Sequence, residues 1–160
     1  MITAPLKRFI AFSALCLVTL SADAQVLDRK TLSLEAANKI IAGAIAEAKA
    51  NNWLVDIAVV DEGGNLLSFQ RMDGALIGSI DVAIGKARTA SLFRRPTKVL
   101  EEAAKTRPAI VTLPNGVLLQ GGVPVVVNGQ TVGAVGVSGV TSQQDEQIAE
   151  AGVRHAGLAQ

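Results

Sequence analysis

The chain is poor in the side chains that build most metal and redox sites. Its 160 residues include one cysteine, one histidine, one tryptophan and no tyrosine, and aromatics make up 3%. One cysteine excludes an intramolecular disulfide and every Cys-rich zinc or iron–sulfur site, and one histidine excludes metal sites that need two or three. Charge is scarce too, at 18% of residues with a formal net charge of +1. That removes the electrostatic footprint of a nucleic-acid binder or an anionic-membrane binder. What is abundant is small and aliphatic: 49% hydrophobic residues and 15 glycines. The length allows one domain with a sizeable core.

Residues 1–24 read as a secretory signal. Lys7 and Arg8 form a positive start, and Phe9 to Leu20 is an uncharged stretch of 12 residues, too short to span a bilayer. Ala22-Asp23-Ala24 has the small-x-small pattern of a cleavage site, so residues 25–160 are expected to be the mature domain, periplasmic or secreted. Lys7, Arg8 and Asp23 leave with the signal, which brings the net charge to zero, and Cys16 leaves as well. A Cys-free exported domain relies on burial and on association of subunits for stability.

The remaining chain alternates helices and hairpins. Ser33 is placed to cap a helix from Leu34 to about Asn51, with Leu34, Ala37, Ile41, Ala44, Ile45 and Ala48 on one stripe. Val55 to Val60 and Leu66 to Arg71 read as paired strands around the turn Glu62-Gly63-Gly64-Asn65. Ser79 is placed to cap a helix from Ile80 to about Phe93, and Pro96 suits the first position of another, Thr97 to about Lys105. After an irregular stretch at 106–122, Asn128-Gly129 joins Val123–Val127 to Gln130–Ser138 as a type I′ hairpin. Thr141 or Ser142 starts a last helix to about Leu158. Two hairpins without βαβ spacing predict an α+β domain, an antiparallel sheet flanked by helices.

Four blocks of this chain together resemble the GlcG/HbpS-like family. They are Val59-Val60-Asp61-Glu62-Gly63-Gly64-Asn65-Leu66-Leu67; Arg71-Met72-Asp73-Gly74-Ala75 followed by Ser79, Lys86 and Thr89; Gly121-Gly122-Val123-Pro124-Val125; and Gly133 to Gly139 followed by Asp145-Glu146. The resemblance runs from about residue 32 to the C-terminus. It implies a profilin-like fold with a five-stranded antiparallel sheet between helical layers. It also implies haem as a cofactor, a homo-oligomer, and no membrane span after cleavage. Family members include exported haem-binding proteins, and proteins encoded beside enzymes of glycolate or propanediol use.

Two readings of the site follow. A haem site needs an iron ligand, apolar faces and cations for the propionates. With no tyrosine and the cysteine lost, His155 and Met72 are the usual ligands that remain. Some haem-binding members use a histidine on the first helix, which here reads Glu35-Ala36-Ala37-Asn38-Lys39. His155 is the single metal-ligand candidate, its plain alternative being a histidine favoured by the dipole of the last helical turn. The other reading is a pocket for a small hydroxy- or keto-acid. Arg71 offers a planar fork for a carboxylate, Lys86 a cation or a desolvated base, and Asp73 and Thr89 polar partners. The Gly121 and Gly122 amides offer close approach to an oxyanion. The plainer alternative pairs Arg71 with Asp73 and leaves Lys86 in solvent. No nucleophile elbow, Walker motif or dinucleotide fingerprint appears, so nothing demands turnover.

Overall fold

A computed structural model describes residues 27–158; the expected signal at 1–24 lies outside the described residues. The elements are α1 (Leu34–Ala50), β1 (Asp56–Asp61), β2 (Leu66–Arg71), α2 (Ser79–Phe93), α3 (Thr97–Thr106), a short 3-10 turn (Pro108–Thr112), β3 (Gly122–Val127), β4 (Gln130–Ser138) and α4 (Ser142–His155). The strands form one antiparallel sheet in the order β2-β1-β4-β3.

Strand alternation sorts the core into two layers. Ile57 and Val59 of β1 and Val135 and Val137 of β4 pack with Ile40, Ile41 and Ala44 of α1 and Ile148 and Ala149 of α4. Their neighbours Ala58, Val60 and Ala134 face the other way, against Ala83, Ala87 and Ala90 of α2. That second interface is made of alanines because the helix lies almost on the sheet. A Cβ on Gly136 would stand 2.2 Å from the Ala83 carbonyl oxygen and 2.4 Å from the Ala87 nitrogen. Among the described residues no helix is long and apolar enough to cross a membrane.

Local chemistry sets the boundaries. The Ser33 hydroxyl accepts from the Ala36 amide at 3.2 Å, and Thr141 forms a capping box with Gln144. Asn128 and Gly129 both have positive φ, 51° and 75°, as a type I′ turn requires. α2 differs from expectation: it begins at Ser79 itself, with Gly78 at the N-cap and no side-chain cap. Pro96 occupies the N-cap of α3 rather than its first turn. β3 is an edge strand whose register against β4 slips between Val125 and Val126, and Pro124 sits in its middle.

The sheet has four strands among the described residues, not five. The stretch before β3 carries Pro108, Pro114 and Asn115-Gly116, which favour turns, and it folds as the 3-10 turn and a loop. Where β4 outruns β1, the Leu32 amide bonds the Val132 carbonyl at 2.9 Å.

Candidate functional site

The sequence candidates separate into two groups. Lys86, Thr89, Gly121 and Gly122 come together between α2 and the start of β3. Lys86 is 2% exposed, and its ammonium donates to Asp145 Oδ2 at 2.8 Å and to the Val137 carbonyl at 3.0 Å. Asp145, 3% exposed, also accepts from the Val140 amide at 3.2 Å. Burial pushes the Asp145 carboxyl above the usual carboxylate range, and the bond and charge of Lys86 pull it back. Lys86 is therefore no solvated helix residue, and Asp145 does more than complement the N-terminus of α4.

The glycines make room for this pair. Gly121 has φ +122°, and a Cβ there would meet Lys86 Nζ at 2.9 Å and Asp145 Cβ at 2.8 Å. The Gly122 amide is occupied, donating to Thr97 Oγ1 at 2.8 Å. Thr89 Oγ1 donates to the Gly85 carbonyl and accepts from the Val117 amide, both at 2.8 Å. The group is a closed framework that ties α2, β3 and α4 together.

Arg71 and Asp73 lie elsewhere, at the end of β2. With Met72 and Gln70 they line a depression of about 300 Å³ whose far wall is Ile45 and Lys49 of α1. No ion pair joins Arg71 to Asp73 among the described residues. Beside Arg71 in the ladder is Asp56, fully buried, with neither carboxylate oxygen hydrogen-bonded. Burial pushes its carboxyl above the usual range and the charge of Arg71 opposes this. Asp56 and Lys49 were missed in the sequence. Asp56 left a signal: it shares the alternation of Ala58 and Val60, so a carboxylate falls on a core position.

His155 is exposed in the last turn of α4, and its Cβ stands 2.3 Å from where a Cβ on Gly43 of α1 would be. It occupies the α1–α4 seam, whereas Met72 belongs to the β2 side of α1. A second depression, about 450 Å³, runs along the β3 edge between Val123, Pro124 and Val126 and, from α4 and the chain just after it, Val153, Arg154 and Leu158.

One antiparallel sheet clad by helices on both faces, with open depressions at its margins, defines a small α+β domain. The chain belongs to the HbpS-like family. A family model described as "Haem degrading protein HbpS-like" matches residues 32–154. Protein GlcG of Escherichia coli K12 is 52% identical over 108 residues, 67% of this chain and 81% of that protein. A crystal structure of HbpS superposes with TM-score 0.80 at 36% identity, over 85% of this chain and 96% of that one. The crystal structure of a PduOC:heme complex superposes with TM-score 0.72 at 25% identity, over 78% and 94%.

Proposed function

We propose that this protein binds haem, holding its propionate edge in the depression formed by Arg71, Met72 and Asp73 with Ile45 and Lys49 of α1. The observation that carries this reading is the convergence there of two cations, a thioether and the apolar Ile45, with Asp73 and Gln70 beside them. These match the propionates, the iron and the macrocycle in kind. Family membership and the haem complex of the PduOC relative support it. A depression of about 300 Å³ admits one edge of a tetrapyrrole rather than the whole. The rest is covered by a second subunit, for which Leu54, Leu76 and Ile77 are exposed. Bound haem would supply redox and ligand-exchange chemistry; Arg71 and Lys49 would hold its propionates and Met72 would offer a thioether to the iron. Residues 1–24 are read as the signal that exports the protein to the periplasm or medium.

Titration of the protein with haemin tests this. The expected result is a saturable Soret shift that weakens at least about tenfold in Arg71→Ala/Lys49→Ala and changes position in Met72→Leu. His155→Ala is expected to leave the band in place. Absence of any saturable shift overturns the reading. A shift lost in His155→Ala but kept in the Arg71 variant moves the site to the α1–α4 seam.

A further inference from the structure

The two edges of the sheet differ. β3 carries Pro124 and a register slip, both of which blunt an edge. β2, at the other edge, has no proline and is regular against β1 from Ser68 to Arg71. One bond fixes the direction of its free backbone groups: the Met72 amide donates to the Val55 carbonyl at 3.1 Å. Opposed residues of an antiparallel pair alternate between exchanging both bonds and exchanging none. Met72, Gln70 and Ser68 therefore bond toward β1, and Phe69 and Arg71 turn their amides and carbonyls outward. Among the described residues no other strand pairs with β2, and no turn or loop bonds the backbone of Phe69 or Arg71.

This edge matches a second copy of itself running the opposite way. Outward residues must face outward residues, so Phe69 meets Phe69, Phe69 meets Arg71, or Arg71 meets Arg71. The last sets two cations face to face, which is destabilising. The first puts two aromatic rings on a two-fold axis and sets each Arg71 against the partner's Leu67. Helix α1 favours the same axis. Leu34, Asn38, Ala42, Ile45 and Lys49 recur every three or four residues, so they share one stripe, and none of them is buried. The stripe runs along β2: Asn38 Oδ1 accepts from the Ser68 hydroxyl at 2.8 Å, and Ile45 and Lys49 share the depression with Gln70, Arg71 and Met72. Ala42, midway between, falls level with Phe69 and is small enough for two copies of α1 to approach. A two-fold axis there lays the stripe on itself, the Leu34 end of one copy against the Lys49 end of the other.

We propose that two copies of this chain pair β2 to β2 about an axis at Phe69, and that the partner's Leu34 closes the depression at Arg71. Leu34 is 57% exposed and lies about 22 Å along the helix from Lys49 of its own copy. In the pair it reaches the other copy's depression and adds a second apolar wall for the face of a tetrapyrrole. That step rests on the haem reading; the pairing of the strands does not. Leu66, 47% exposed, is carried toward the partner's Met72 and is covered as well. The contact uses the same surface on both copies and β3 is blunted, so the ladder ends with the pair.

Disulfide trapping reads the register. In a Cys16→Ser background, Ser68→Cys and Gln70→Cys proteins are oxidised each alone and after mixing under reducing conditions. About the axis at Phe69, Ser68 faces the partner's Gln70 in a pair that exchanges no bonds, with Cα atoms about 4.5 Å apart and within disulfide range. A covalent dimer is expected in the mixture and in neither protein alone. Cross-linking of Gln70→Cys alone marks the register with Phe69 on Arg71 and overturns the axis at Phe69. No cross-link in any sample overturns the pairing, whatever mass sedimentation gives for the unaltered protein. Leu34→Ala in the Cys-bearing pair is expected to keep the cross-link and to weaken haemin at least about tenfold. Equal haemin affinity in that variant overturns the placement of Leu34. A cross-link in the mixture with no haemin shift in the unaltered protein upholds the pairing and removes the haem reading instead.

Discussion

Replacing Lys86 with methionine keeps an unbranched side chain in the α2–β3–α4 framework and deletes its charge. Asp145 then loses a partner at 2.8 Å while only 3% exposed, and the Val137 carbonyl loses a donor at 3.0 Å. Breaking a buried pair by removing one member costs about 3–5 kcal/mol, because the remaining charge has no water to turn to. Asp145 has an escape: its carboxyl already sits above the usual range because of burial, so without Lys86 it takes up a proton more readily still. The loss should therefore fall toward about 3 kcal/mol in mild acid and grow with pH. In a domain of this size each kcal/mol moves the melting temperature by about 3–5 °C, giving a fall of about 10–20 °C. Calorimetry and urea unfolding across pH measure it. Lys86→Met/Asp145→Asn, with no charge left to strand, should recover to within about 1.5 kcal/mol of the original protein. A single variant costing under about 1 kcal/mol, or a double variant as weak as both single losses combined, would refute the reasoning.

Two further tests bear on other parts of the molecule. Gly136→Ala places a methyl 2.2 Å from the Ala83 carbonyl oxygen, so α2 must lift from the sheet; a loss of at least about 2 kcal/mol is expected, and an unchanged melting temperature contradicts the close approach. Asp56 and Asp145 hold their protons to higher pH in the folded chain than in the unfolded one. Between the unfolded carboxyl value, about 3.9, and the raised folded value, the folded state binds more protons, so stability falls as pH rises through that window. Asp56→Asn should flatten the fall and raise the melting temperature at about pH 7 relative to about pH 4.5. A variant destabilised equally at both pH values contradicts the account of Asp56.

The hairpins and helices were legible because each is announced locally: Asn128-Gly129 for a type I′ turn, Thr141 or Ser142 for a helix start, β-branched runs for strands. Arg71, Met72 and Asp73 share a depression because they are consecutive at a strand end. The sequence reading placed Lys86, Thr89, Gly121 and Gly122 in one pocket with Arg71 and Asp73, and the fold separates them to two places. The Lys86–Asp145 pair was not legible, because the two are 59 residues apart and each looks like an ordinary helix-surface charge. Only the packing of α2 and α4 against one end of the sheet excludes water from both. The expected fifth strand came from the family resemblance, and the prolines of residues 107–121 argue locally against it.

Pro124 and the register slip at Val125/Val126 constrain how copies of this chain can meet. β3 is an edge rich in valine, the kind of strand that invites another to zip alongside. Proline takes one amide out of that edge and the slip bends what remains, so a continuous ladder through β3 is disfavoured. Copies that met on this side would join through side chains, for which Leu76, Ile77 and Leu92 are exposed elsewhere on the surface. Contacts of that kind come apart and re-form without unravelling a sheet. Under the proposed haem reading, a second copy would then cover the ligand with side chains alone, leaving each sheet intact.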